Sequence, residues 1–289
     1  MPIKLGVSFA NIPVIFADVH QSSKIFFMSA KNISIIGGGN LGSSIAEGLL
    51  KSGKYQAKNI TVTRRRIEKL QHLADSGVKI HSDNRLAVSE ADIVIVAVKP
   101  NNLDKILQEI KPKLQVHHVL VSVVTGVSMN HMQTIVGEGI SIFRAMPNTA
   151  IAIGESMTCI SAQNGSMEQM EEVEHIFAQV GKTVNISEEL MDASTVLAAC
   201  GIAYALRFIR AASQGGIEIG FDAATAQTIA AQTVKGAAGL LIEGKQHPEY
   251  EIDKVTTPMG CTIAGLNEME HQGFSSSLIK GIITSYNKI

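Results

Sequence analysis

The chain holds 289 residues, 45% hydrophobic and 18% charged, and its 25 Lys and Arg against 26 Asp and Glu leave a net charge of −1. That length suffices for two domains, each with its own core, and the near balance of charge excludes nucleic acid or an anionic membrane surface as the main partner. Aromatics make up 4% and Trp is absent, which removes stacking platforms for bases, and no apolar run reads as long enough to span a bilayer.

Residues 1–28 are mixed in character (Lys4, Asn11, Pro13, Asp18, His20) and end at a second methionine, Met28. Lacking a clean apolar core and a small-residue cleavage site, they read as a disordered leader or a start assigned too early, not as a signal peptide. Ile33-Ser34-Ile35-Ile36 then ends abruptly in Gly37-Gly38-Gly39, and helical spacing begins at Asn40-Leu41-Gly42. A strand, a tight turn and a helix start are predicted. In the pattern Gly37-x-Gly39-x-x-Gly42, the first glycine permits the bend and the second lets the backbone approach a pyrophosphate. The third lets the helix pack closely, while free amides and the helix dipole hold the phosphates. A glycine triplet alone is a weak signal; the strand before it and the helix after it make this a dinucleotide-binding turn.

Asn59–Thr63 predicts the second strand, followed by Arg64-Arg65-Arg66 and a helical stretch to about Ala74. An NAD site usually carries an acidic residue there, on the ribose hydroxyls. Guanidinium groups instead suit a 2′-phosphate through charge-assisted bonds of about 1.5–3 kcal/mol each, which favours NADPH, with NADH the less favoured alternative. Val78–Ile80 is a short third strand. Asp92–Val98, apolar on both faces as a buried parallel strand should be, is stopped by Lys99-Pro100. A helix over about Leu103–Ile110 and strands at Val119–Val124 and Ile140–Met146 complete the alternation. The predicted class is α/β, a Rossmann-like doubly wound parallel sheet with ligands beyond the carboxyl ends of its strands. At those ends, Ala97-Val98-Lys99-Pro100 and Ser122-Val123-Val124-Thr125-Gly126 can wall a nicotinamide ribose. Asn148 offers a donor and an acceptor to orient a nicotinamide or a water, and serves a structural turn equally well.

From about Glu188 the character changes, dividing the chain into a dinucleotide-binding domain (29–188) and an all-helical dimerisation and substrate domain (189–289). Met191–Gly215 and Ala223–Glu243 are rich in Ala, Leu and Ile with few charges. Helices apolar nearly all round must be buried on several sides, and a domain of ~100 residues can hardly enclose two of them alone. A homodimer or larger homo-oligomer is therefore predicted. A hydroxyl-rich loop, Val255–Leu266, opens the final helix with Thr262 near its N-terminus. Amides and hydroxyls there can receive a substrate carboxylate; taken alone they fit ordinary N-capping. Cys159, Cys200 and Cys261 form neither a disulfide framework nor a metal knuckle, so a reducing compartment, the cytoplasm, is expected, with no metal.

From Ile33 to the end, these blocks in this order resemble the pyrroline-5-carboxylate reductase family. The resemblance rests on Ile36–Gly42, Ala97–Pro100, Arg144-Ala145-Met146-Pro147-Asn148-Thr149 and Val255–Leu266. It implies a nucleotide-binding domain plus a helical dimerising domain, an active site completed between subunits, and NADPH-dependent reduction of 1-pyrroline-5-carboxylate to L-proline. Carried over by position, the cofactor contacts are Ile36, Gly37, Gly38, Gly39, Asn40, Leu41, Arg64 and Arg65. Asn84, Ala97, Val98, Lys99, Pro100, Val123, Val124 and Thr125 complete that surface. Gly260, Cys261 and Thr262 hold the substrate, and the Thr262 hydroxyl bonds the ring nitrogen as the catalytic group. Two departures stand out: Met259 replaces a glycine of the family's Pro-Gly-Gly segment, and Ala199-Cys200-Gly201-Ile202-Ala203 replaces its Gly-Ser-Gly-Pro-Ala. Reduction of a ketone needs a proton donor, normally Lys or His, and Leu190–Val234 contains neither. A cyclic imine enters already protonated, so the absence favours an imine substrate. The alternatives are a related imine or hydroxyacid reductase and a catalytically silent NADP-binding regulatory paralogue.

Overall fold

A computed structural model describes residues 31–289; the expected leader, 1–28, lies outside the described residues. Eight strands form one sheet in the order β3-β2-β1-β4-β5-β6-β7-β8. They are β1 (Ile33–Ile36), β2 (Ile60–Thr63), β3 (Lys79–His81), β4 (Ile93–Val96), β5 (Val119–Ser122), β6 (Ser141–Met146), β7 (Ser156–Gln163) and β8 (Gly181–Asn185). Every neighbouring pair is parallel except β6 and β7. The first six are the predicted strands, with ends shifted by one or two residues. The antiparallel β7 and the edge strand β8 extend the sheet beyond the expected purely parallel one.

The period-2 geometry of a strand sends alternate side chains to opposite faces, and the sequence supplies an apolar residue to nearly every position. Ile33, Ile35, Ile93 and Ile95 enter one buried cluster, while Ile36, Val94 and Val96 enter the other. Helices cover both faces. α1 (Asn40–Lys51) buries Ile45, Ala46 and Leu49 in the first cluster. Beyond β2 a 3₁₀ turn, Ile67–Leu70, replaces the start of the predicted helix and leads into α2 (Gln71–Asp75). On the other face lie α3 (Asn84–Ser89), α4 (Leu103–Ile110) and α5 (Met129–Val136). Leu103, Leu107 and Ile110 form the buried stripe of α4 at helical spacing. α6 (Met167–Ala178) joins β7 to β8 and packs Val173, Ile176 and Phe177 inward.

The C-terminal part is all helix. A 3₁₀ turn (Glu188–Leu190), α7 (Met191–Ser194), a π-helical turn (Thr195–Cys200) and α8 (Gly201–Glu218) follow without a break. This 31-residue rod is long and apolar enough to cross a bilayer by length and composition, which corrects the expectation of no such run. α9 (Ala223–Gly244), capped by the Asp222 carboxylate on the amides of Ala224 and Thr225, packs back along α8. α10 (Pro248–Val255), α11 (Cys261–His271) and α12 (Phe274–Tyr286) follow. The loop before Cys261 thus opens the penultimate helix, not the final one, because Gly273 at φ +80° ends α11 and starts α12. Of α8 only Ser213 is buried, and of α9 only Ala226 and Ala230. Leu206, Phe208, Ile229, Leu240, Ile242 and Ile283 stand exposed on one chain. A single copy leaves these apolar helices uncovered, as the sequence implies.

Candidate active site

The glycine turn is built as its spacing predicts. Gly37 sits at φ +109°, a conformation that L side chains avoid. Its amide and that of Gly38 donate to the Thr63 carbonyl at 3.2 and 2.7 Å, pinning the turn to the end of β2. A Cβ on Gly42 would collide with the Gly37 carbonyl oxygen, so only glycine lets α1 start so close to the strand. A Cβ on Gly39 would meet nothing within 4 Å, because that face opens outward. Gly39 caps α1 without a side chain and no acid stands in the first turn. The leading amides are thus left for an anion.

Around this turn lies a cleft of about 910 Å³. Ile36 through Gly39, Arg64, Arg65, Asn84, Ala97, Val98 and Lys99, all predicted cofactor residues, line it. Asn40 lines a smaller adjoining cleft of about 310 Å³ that shares Gly39, Arg64 and Lys69 with the first. The other predicted contacts stand back from both. Leu41 is half-buried against the core, Val123 and Val124 are buried in opposite clusters, and Pro100 is exposed beyond the lining. Thr125 is half-buried at the end of β5, its hydroxyl 3.9 Å from the Met146 sulfur.

The cleft is strongly cationic. Arg64, Arg65, Arg66, Lys69, Lys99 and Lys105 line it against a single carboxylate among the described residues, Glu109. The Arg64 Nη1 donates to the Gly38 carbonyl at 2.7 Å, which fixes the guanidinium beside the glycine turn. The Thr63 hydroxyl donates to Asn84 Oδ1 at 2.6 Å, and Asn84 Nδ2 donates to Glu109 Oε1 at 3.1 Å. Glu109 therefore orients Asn84 instead of facing the cleft as a free charge. Sequence reasoning missed Lys69, Lys105 and Glu109. Their only signal was charge within one or two turns of a strand end, which surface helices share. No carboxylate among the described residues stands where an NAD site has one, and a cradle of glycine amides next to the fixed Arg64 guanidinium fits a nicotinamide dinucleotide carrying a 2′-phosphate.

At the far strand ends the structure shows Asn148 in the structural one of its two expected roles. Its Oδ1 accepts the Ala150 amide at 3.0 Å and its Nδ2 donates to the Ala198 carbonyl at 3.3 Å. Ala198 lies in the π-helical turn, whose widened register frees carbonyls that an ordinary helix would use. Asn148 thus serves as a cap and a tie to the helical part, the turn role that its sequence allowed equally. Cys159 lies beside this junction with Met146 and Met191, and burial pushes its thiol up, which makes it a poor nucleophile. Arg144, 4% exposed in β6, reaches Glu188 and Asp192 at 3.4 and 3.5 Å.

Gly260, Cys261 and Thr262 do not line the cleft of their own chain. Gly260 caps α11 and its amide donates to the Thr257 carbonyl at 2.9 Å, closing a turn through Pro258 and Met259. Met259 sits at φ +59° with its side chain fully exposed. Thr262 is half-buried in the first turn of α11.

Residues 188–289 match the family model described as pyrroline-5-carboxylate reductase dimerisation, and residues 32–126 match that of NADP oxidoreductase, coenzyme F420-dependent. Pyrroline-5-carboxylate reductase 2 of Dictyostelium discoideum is 46% identical over 274 residues, covering 89% of this chain and 92% of that relative. Pyrroline-5-carboxylate reductase 1 of the same organism is also 46% identical, over 268 residues; the chain spans 49% of its length. The Methanosarcina acetivorans enzyme of that name is 34% identical, with 89% and 96% coverage. Among solved structures, the Plasmodium falciparum pyrroline carboxylate reductase with NADP bound superposes with a TM-score of 0.82 at 25% identity, covering 89% and 96% of the two chains. A pyrroline-5-carboxylate reductase from Coxiella burnetii gives 0.83 at 29%, covering 90% and 97%.

Proposed function

The chain belongs to the pyrroline-5-carboxylate reductase family, and from that premise we propose that it reduces 1-pyrroline-5-carboxylate to L-proline with NADPH. The observation that carries the reading is the cleft at the strand ends, where the glycine turn and Arg64 stand together and no acid occupies the end of β2. Bound there, the reduced coenzyme supplies a hydride. The amides at the start of α1 hold its pyrophosphate, and Arg64, Arg65 and Lys69 neutralise the 2′-phosphate. Val98 and Lys99 of the β4 end line the cleft, and the loop Val123–Thr125 after the neighbouring β5, set back from that lining, supports the side toward which the nicotinamide would lie.

The substrate residues come from a second copy. Gly260, Cys261 and Thr262 of one protomer roof the cleft of its partner, the α11 amides taking the carboxylate and the Thr262 hydroxyl bonding the ring nitrogen. The proton of the product amine enters on the substrate iminium, so no Lys or His is required of the long helix, and Leu190–Val234 has none. What the chain must do is orient and exclude water, and positioning of this kind lowers a barrier by ~7–11 kcal/mol. The exposed apolar faces of α8, α9 and α12 fit a homodimer or larger assembly of the chain. The rod Glu188–Glu218 belongs to that subunit face on this reading, not to a bilayer. Three free thiols fit a reducing compartment such as the cytoplasm.

The test follows NADPH absorbance with pyrroline carboxylate as substrate. Oxidation of NADPH with formation of proline is expected, and Thr262→Ala should lower turnover at least ~tenfold, the scale of a lost positioning contact, with NADPH affinity unchanged. Tight NADPH binding without oxidation would establish a silent paralogue, and turnover of hydroxyacids alone would establish a different reductase.

A further inference from the structure

One buried charge at the strand ends has no part in the reaction just described. Arg144 lies in β6 opposite Ser122, the last residue of β5, and only 4% of it reaches solvent. A guanidinium is buried at such cost only when it is paired, and its partners come from the first turns of the helical part. Nη1 stands 3.4 Å from Glu188 Oε1 and Nη2 stands 3.5 Å from Asp192 Oδ1. Both separations exceed the roughly 2.7–2.9 Å of a closed charge-assisted bond. Arg144 Nε and Nη2 and Asp192 Oδ1 are buried with no hydrogen-bond partner among the described residues. The pairing holds the charge in place through one long hydrogen bond, from Nη1 to Glu188, and leaves Nε and Nη2 unbonded.

The same Glu188 oxygen accepts the Met129 amide at 2.6 Å. Met129 opens α5, so this bond anchors the loop that leaves β5 through Val123, Val124 and Thr125. One carboxylate thus ties together three things: strand β6, the loop that leaves β5, and the first turn of the helical part. We propose that Glu188 and Arg144 are positioning residues for hydride transfer, holding the β5 loop and the helical segment in one fixed relation. The inference rests on the functional reading above, because it takes the Val123–Thr125 loop as the support behind the nicotinamide site. Neither residue touches the glycine turn or the cationic cleft, so coenzyme binding should not depend on them.

Glu188→Ala removes both the Met129 acceptor and the charge facing Arg144, whereas Glu188→Gln keeps an acceptor and removes only the charge. Three readouts are needed: NADPH affinity by fluorescence titration, turnover, and the primary isotope effect with deuterated NADPH. For Glu188→Ala, NADPH affinity within about twofold of the parent is expected, with turnover down ~tenfold or more and a larger isotope effect as the chemical step becomes limiting. Glu188→Gln should recover most of the turnover. A loss of turnover with an unchanged isotope effect, or one matched by lost NADPH affinity, would reduce the pair to a structural role and overturn the proposal. So would no loss at all. If Glu188→Ala does not fold, Arg144→Lys, which can reach only one of the two acids, is read by the same criteria. Hydrogen exchange at the Met129 amide gives an arm independent of the reaction. Faster exchange in Glu188→Ala, with parent protein that turns nothing over, would sink the functional reading while sustaining the tie; unchanged exchange would sink the tie itself.

Discussion

At the scale of single residues, the side chains that depart from a pattern say most. Met259 stands where the resemblance expects glycine, and the turn through Thr257-Pro258-Met259-Gly260 explains that glycine. Pro at the second position, positive φ at the third and a closing bond from Gly260 to Thr257 are the features of a type II turn. A non-glycine residue held there costs of order 1–3 kcal/mol. Met259→Gly should therefore stabilise the protein, raising its thermal midpoint by about 2 °C or more, as differential scanning calorimetry would record. An unchanged or lower midpoint would mean that Met259 makes contacts in the assembly worth as much as the strain. Arg64 and Arg65 departed from the NAD pattern in the sequence, and the structure puts both on the cleft. Arg64→Asp with Arg65→Ser should cut the preference for NADPH over NADH by ~tenfold or more, given charged bonds of about 1.5–3 kcal/mol each. Titration of both coenzymes checks this, and Lys69 should leave some preference in place. An unchanged ratio would place the 2′-phosphate elsewhere.

At the scale of elements, what the sequence disclosed depended on how loudly hydropathy speaks. β1 and β4 were legible because buried parallel strands are apolar on both faces, and the glycine turn because only glycine satisfies its geometry. β7 escaped for the opposite reason. Ser156, Thr158 and Ser161 are all buried in it, so a strand of the core reads as polar. The Ser156 hydroxyl is satisfied by the Asn148 amide at 3.0 Å, a partner that no local pattern announces. β8 is a half-exposed edge strand with little apolar signal. α6 did leave a mark, the Ser166–Gln169 capping box, which sits where a helix start is needed. Asn148 shows the limit most clearly. Its donor and acceptor were legible as such, but their use depends on a π-helical turn fifty residues later. Lys69 and Glu109 were hidden because a charge near a strand end looks the same whether it faces solvent or ligand.

At the scale of the whole molecule, the chain divides into a part with its own core and a part that needs another. The sheet and its covering helices bury two continuous clusters, while α8 and α9 bury three side chains between them. Introducing charge on the exposed apolar face, Ile229→Glu with Leu240→Glu, should therefore split the assembly, as light scattering would show. NADPH binding should survive, because the coenzyme cleft lies within one chain, whereas turnover should vanish if Thr262 acts on its partner's cleft. Persistence of the oligomer at full activity would move the interface elsewhere. The uncovered helices carry a further consequence for the life of the polypeptide. A newly made copy buries the core of its nucleotide-binding half within itself, whereas its last hundred or so residues keep apolar faces open for a neighbour to cover. Heat resistance should accordingly climb with protein concentration, and dilution should age the enzyme faster than warmth alone.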